Sequence, residues 1–195
     1  MLSHSGETRP ALMLSSLNQC RIGTWVSSAL SSLRPSAGAQ SDAASSTVTK
    51  DNPPMSLPQV DNPSGFKWSR RSQRNLIGVN PLMKDVATLA LSLSDLDFAI
   101  ISGRRTRDEQ LILFNKGLTQ TMDSKHLTGD AVDVMVYVSG RGTWEPLPYT
   151  RVADAFQEAA YILGAPIRWG GAWHIDDFSQ EEDRSGEALM NEYID

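Results

Sequence analysis

The sequence predicts a small single-domain α+β fold, with a largely antiparallel sheet flanked by helices. Three observations carry that prediction. Residues 131–138 form an apolar, β-branched run with the period of a strand. Several other stretches have helical spacing and carry their own cap signatures. Strand-like and helix-like segments do not alternate in strict βαβ order, so a doubly wound parallel sheet is not indicated.

The elements are taken in chain order. Asn80-Pro81 supplies an N-cap and a proline at the first helical position. Leu82, Val86, Leu89 and Leu93 then mark one helical face. Residues 97–101 read as a short strand ending at Ser102-Gly103. Thr106 followed by Glu109 is a capping-box signature, opening a helix through Leu111 and Phe114 that stops at Gly117. The run 131–138 is the strongest strand. Thr150 is expected to cap a further helix with Val152, Phe156, Ala159, Ala160 and Leu163 on its face and Gly164 as its stop. Residues 166–169 give a last short strand, which Gly170-Gly171 turns toward Trp173-His174, and residues 187–193 suggest a short helix.

Residues 35–65 are rich in Ser, Ala, Pro, Asp and Asn, a composition that buries too little apolar surface to fold. Residues 1–65 are therefore expected to be a disordered leader and linker, with Met55 as an internal candidate start. Residues 66–175 form the expected domain and residues 176–195 an acidic tail. That tail carries eight acids and one base, a net of −7, while the whole chain sums to −5. The remainder is thus mildly basic, with clusters at Arg70, Arg71, Arg74, Arg104, Arg105 and Arg107.

These bounds exclude several classes. The single Cys20 rules out an intrachain disulfide framework and any multi-cysteine metal site. The basic residues are not interleaved with stacking aromatics, so a nucleic-acid partner is not expected. No run approaches the ~18 apolar residues of a membrane span. The apolar stretch 11–17 is broken by Asn18, Gln19 and Arg21, so a signal peptide is not expected either. A monomer is expected.

Chemistry concentrates in residues 124–133, Ser-Lys-His-Leu-Thr-Gly-Asp-Ala-Val-Asp. On a strand at 131–138, Val132, Val134, Val136 and Val138 share one face and would pack the core. Asp133 lies on the other face, aimed at a cleft or solvent. His126 precedes the strand in a loop that Gly129 allows to turn back sharply. An imidazole and a carboxylate aimed at one point are two of the three protein ligands of a catalytic zinc. On spacing alone, a His–Asp hydrogen bond in a structural loop fits as well.

The stretch resembles the Ser-x-His-x-x-Gly-x-Ala-x-Asp motif of the zinc D-Ala-D-Ala carboxypeptidase and L-alanyl-D-glutamate peptidase family, which includes many phage endolysins. All five fixed positions match. Residues 102–110 resemble the family's Ser-Gly-x-Arg-Thr-x-x-x-Gln element, and residues 168–173 resemble the Arg-Trp-Gly-Gly-x-Trp segment of its endolysin branch. The resemblance spans about residues 66–173. It implies a DD-peptidase/hedgehog-like fold, a Zn2+ cofactor and a peptidoglycan stem peptide as substrate, cut at L-Ala–D-Glu or, in the carboxypeptidase alternative, before a terminal D-Ala. Such a protein is made in the bacterial cytoplasm and acts on the cell wall. The resemblance also implies His126 and Asp133 as zinc ligands. Arg105 would polarise the scissile carbonyl and steady the oxyanion, with Gln110 and Ser124 as supporting or substrate-contacting groups.

The third ligand is approached by elimination. The histidines are His4, His126 and His174, and His4 falls in the leader, which leaves His174. The sequence departs from the family here. The dipeptidase branch has a glutamate three residues before its histidine, where this chain has Gly171, and the endolysin branch's later Asp-x-Pro-His-Phe element is not found before Asp195. Two expectations result: His174 is recruited, or the site is incomplete and the chain is a non-catalytic wall-peptide-binding module. Asp176, Asp177 and Glu181 are the nearby carboxylates for a general base, but nothing in their spacing selects one, and an acidic solvated tail accounts for all three better.

Overall fold

The computed structural model describes residues 24–27, 62–181 and 183–195. The domain is α+β, as the sequence predicts. Its spine is strand β3 (Ala131–Val138). On one side β3 pairs with β2 (Asp97–Ser102). On the other it pairs with β1 (Thr24–Ser27) along its first half and β4 (Arg141–Thr143) along its second. β1 continues to β5 (Ile167–Trp169), giving the order β2-β3-β1-β5 with every pairing antiparallel.

Two long helices pack on the valine face: α2 (Pro81–Leu93) and α5 (Pro146–Ile162), which also pack on each other. Val132, Val134 and Val136 are wholly buried with Val86, Ala90, Val152 and Phe156. Each such side chain contributes about 1.5–3 kcal/mol of hydrophobic stabilisation. Phe98 bridges the layers, its ring 5.4 Å from Phe156 and 5.6 Å from Trp68. Shorter helices surround this core: α1 (Arg70–Asn75), α3 (Arg107–Asn115), the single turn α4 (Lys125–Thr128) and α6 (Gly186–Ile194), with a 3₁₀ turn at Phe178–Gln180.

Several expectations are corrected. Thr24–Ser27 falls inside the expected disordered leader, yet its backbone forms a sheet strand; four residues are lost in a composition average. The rest of the expected leader before residue 62 lies outside the described residues. The acidic C-terminal segment is not a free tail. Its helix α6 packs on α5 and buries Leu189 and Met190, so Glu187 and Glu192 belong to the polar side of an amphipathic helix. Thr150 does not cap α5. The helix starts five residues earlier, with Glu145 at the cap and Pro146 in the first turn, where a missing N–H costs nothing. Thr150 is one turn in, and its hydroxyl donates to the Leu147 carbonyl. Val138 is exposed because β3 outruns the helical layer. On α2 the buried residues are Met83, Val86, Ala87, Leu89, Ala90 and Leu91, so Val86 and Leu89 of the expected stripe are buried while Leu82 and Leu93 are only partly so.

The capping box at α3 is present as expected. Glu109 accepts from the Thr106 backbone N–H at 2.8 Å and its hydroxyl at 3.0 Å, while Glu109 N–H donates to Thr106 Oγ1. Those bonds hold the Glu109 carboxyl below its ordinary value of 4.5. A depressed folded-state value stabilises the fold above the unfolded-state value and loses that contribution as pH falls through the folded one. A melting-temperature gap between wild type and Glu109→Gln is therefore expected at pH values well above 4.5, and it narrows as pH falls below 4.5.

Candidate active site

The polar face of β3 and the loops beside it converge on one point. β2 carries a bulge against β3: Ile100 pairs with Val134, but Ser102 pairs with Asp133, so residues 101 and 102 together face one position. A bulge bends its strand and re-aims the residues beyond it. Here it carries Ser102, Gly103 and Arg105 across the start of β3.

His126 sits on α4, which is held at both ends. Ser124 caps it by accepting the His126 N–H, and Gly129 closes it in the left-handed region at φ 84°. The Gly129 carbonyl accepts from Asn80 N–H at 2.9 Å, and Asn80 Nδ2 donates to Asp130 at 2.8 Å. A further bond ties Arg105 N–H to the His126 carbonyl at 2.8 Å. The turn is therefore locked to α2, to β3 and to the loop after β2.

The imidazole is buried, with Nδ1 2.6 Å from the Gly103 carbonyl oxygen. A carbonyl only accepts, so Nδ1 carries a proton and Nε2 is the ring nitrogen left to face Asp133. That Nε2 is buried and has no hydrogen-bond partner among the described residues. It lies 3.4 Å from Asp133 Oδ1, another electron-pair donor. A ring nitrogen and a carboxylate oxygen facing each other at this distance form an arrangement that a cation can satisfy through both electron pairs. Tetrahedral zinc with ~2.0–2.2 Å bonds to nitrogen and oxygen sets its donors about 3.4 Å apart. The pair therefore fits the metal that the sequence resemblance implies.

Asp133 is almost wholly buried and divides its oxygens. Oδ1 faces His126, and Oδ2 accepts from Arg105 Nη2 at 2.6 Å. Arg105 is pinned further by donation from Nε to Ser102 Oγ at 3.2 Å and from Nη1 to Gln110 Oε1 at 3.3 Å. Gln110 is completely buried, and its amide group donates to the Thr121 carbonyl and to Thr119 Oγ1. Gln110 and Ser124, expected as supporting or substrate-contacting groups, have their polar atoms turned on the protein: one positions Arg105, the other caps α4. The site opens into a cleft of about 470 Å³ lined by Arg71, Ser102, Arg105, Asp133 and Trp144 among others.

His174 is not brought to this point. It stacks on Tyr193 at 5.5 Å, nearly parallel, and its Nε2 lies 3.4 Å from Glu192 on α6. Among the described residues no group of three His, Cys, Asp or Glu is assembled to hold a metal. The acids expected as general bases are engaged elsewhere. Asp176 pairs with Arg168, Asp177 caps the 3₁₀ turn, and Glu181 pairs with Arg184. Trp169 is core, packed on Phe178 at 5.4 Å, while Trp173 lies exposed under the Arg168 guanidinium.

Residues 64–190 match the family described as Phage L-alanyl-D-glutamate peptidase. The chain belongs to that family. It is 34% identical over 125 residues to the L-alanyl-D-glutamate peptidase of Escherichia phage T5, covering 62% of this chain and 91% of that protein. The L-alanyl-D-glutamate peptidase of Listeria phage A118 is 30% identical over 106 residues, 51% of this chain and 37% of that protein. Among solved structures, the Serratia marcescens L-Ala D-Glu endopeptidase ChiX aligns with a TM-score of 0.53 at 37% identity, covering 57% of this chain and 85% of that one.

Within this phage peptidase family member, two features of the site escaped the sequence reading. The Gly103 carbonyl sets the imidazole's tautomer, but a backbone atom leaves no side-chain signature. Arg71 and Trp144 reach the cleft from α1 and from the loop before α5, and no motif marks either.

Proposed function

We propose that the chain is a zinc-dependent endopeptidase that cleaves the L-Ala–D-Glu bond of peptidoglycan stem peptides, as a phage lysis enzyme acting on the bacterial cell wall. The observation carrying this reading is His126 Nε2 and an Asp133 oxygen, 3.4 Å apart and buried beside an arginine-lined cleft. Family membership supplies the substrate class. Among the described residues no helix is long and apolar enough to cross a membrane.

His126 and Asp133 would hold the zinc. Bound there, zinc supplies a Lewis acid for the peptide carbonyl and a water of pKa about 7. The protein's own contribution is preorganisation. Gly103 fixes the tautomer and ring direction of His126, as a backbone carbonyl commonly does for a metal-binding histidine. Arg105 holds one Asp133 oxygen so that the other faces the histidine, and Gln110 and Ser102 hold Arg105. Lining the cleft, the same guanidinium would stabilise negative charge developing on the carbonyl oxygen.

The test is digestion of purified peptidoglycan by the zinc-loaded protein, with identification of the new amino termini. Wild type is expected to release termini on D-glutamate, and His126→Ala none above background. Release at D-Ala would favour the carboxypeptidase alternative. A second reading, a wall-peptide-binding module without turnover, is favoured by one observation: His126 and Asp133 gain no third metal-binding side chain among the described residues. Binding to peptidoglycan with no new termini from zinc-loaded wild type would select it.

A further inference from the structure

The cleft at Asp133 is more basic than the hydrolytic chemistry requires. Arg71 lines it together with Arg105 and Trp144. An adjoining cleft of about 410 Å³ shares Ile101, Ser102, Arg105 and Leu113 with it and adds Arg74 and Arg104, with Glu109, held in the α3 capping box, as its one acid. Arg71 and Arg74 stand three apart on α1, so they project from one face of that helix. No ion pair joins Arg71, Arg74 or Arg104 to an acid among the described residues, whereas Arg151, Arg168 and Arg184 each have one. The one acid on the first cleft, Asp133, is already matched by Arg105. A positive cleft on a chain of net charge −5 is a local feature, not a reflection of overall composition.

Arg71 is also held in place. Its helix is anchored to β2 by Ser72, whose buried hydroxyl accepts the Ile100 N–H at 3.2 Å, and by Asn75, whose Nδ2 donates to the Ile100 carbonyl at 2.7 Å. The backbone carrying Arg71 is thus fixed against the strand that leads into the bulge and Arg105.

A glutamyl residue has two carboxyl groups, and only one continues the peptide. The residue on the amine side of an L-Ala–D-Glu bond therefore presents a free carboxylate next to the scissile bond, whichever carboxyl is used for chain extension. We propose that Arg71 binds this free carboxylate and makes the site select an acidic residue after the cleaved bond. The proposal rests on the endopeptidase function already proposed. A guanidinium presents paired donors to a carboxylate, and Arg71 has no competing acid of its own among the described residues.

The test is an NMR titration of the full chain with a matched pair of peptides: L-Ala-D-Glu-L-Lys joined through the γ-carboxyl, with the α-carboxyl either free or amidated. Wild type is expected to bind the free acid about tenfold more tightly, the order of one charge-assisted hydrogen bond. Arg71→Ala is expected to bind both equally, Arg71→Lys to keep part of the preference, and Arg151→Ala, which removes an exposed arginine paired with Asp95, to keep all of it. An undiminished preference in Arg71→Ala, or no preference in wild type, overturns the proposal. Release of D-glutamyl termini from peptidoglycan by wild type reports on the function separately. Release combined with an unchanged preference in Arg71→Ala removes only the role of Arg71. Neither release nor peptide binding removes both readings.

Discussion

Asp133→Ala is expected to destabilise the fold by about 3–5 kcal/mol, the usual cost of removing one partner from a buried ion pair. Arg105 and Asp133 are both nearly excluded from water, with side chains 10% and 5% exposed. Removing the carboxylate leaves a guanidinium that cannot deprotonate, facing a cavity and an imidazole. Its bonds to Ser102 and Gln110 satisfy donors but do not neutralise charge. The same substitution removes one of the two proposed zinc donors, so metal retention is expected to fall along with stability. Urea denaturation measures the first effect. A double-mutant cycle with Arg105→Ala separates the pair from its parts: the double variant is expected to be more stable than the sum of the two single losses, because it removes the stranded charge. Additive losses would show that Arg105 and Asp133 do not act as a pair.

Gly103→Ala has the second large effect and reaches the site without touching a functional side chain. A Cβ at Gly103 would press into the Asn75 carbonyl oxygen and come within 2.7 Å of Val79 Cγ2. Neither neighbour yields easily: one is backbone in the last turn of α1, the other a buried core side chain. Overpacking of this kind costs about 1–3 kcal/mol. The local consequence is sharper. The Gly103 carbonyl is what His126 Nδ1 donates to, and a backbone shift there rotates the ring and moves Nε2 off Asp133. Misplacement of a reacting group by ~1 Å can cost about a hundredfold in rate. Activity is thus expected to fall much further than the melting temperature suggests. A variant that melts lower yet cleaves at the wild-type rate would show that the carbonyl does not orient the ring.

The legible part of the fold was the part with strong periodicity or capping chemistry. The valine run of β3, the Asn80-Pro81 start of α2 and the Thr106–Glu109 box each announce themselves within a few residues, and each is present. The side of β3 on which Asp133 lies came from alternation alone. Long-range features left no local trace. The bulge at residues 101–102 exists only through the pairing of β2 with β3, and α1 is too short to show a period. α3 misled differently. Its apolar residues Leu111, Ile112 and Phe114 point outward, and the side chain it buries is the polar Gln110. Elimination selected His174 by residue type, yet the C-terminal helix competes for that ring through Tyr193 and Glu192. The acidic composition that read as a tail conceals the buried Leu189 and Met190 on that same helix.

Everything proposed for catalysis depends on His126 and Asp133 being the protein's own half of a zinc site. Calorimetric titration of zinc into the metal-free protein probes that pair without relying on turnover. Wild type is expected to bind one zinc per chain and His126→Ala none, with the variant still folded by circular dichroism. Zinc binding of equal strength and stoichiometry in both proteins, or no zinc binding by wild type, would contradict the assignment.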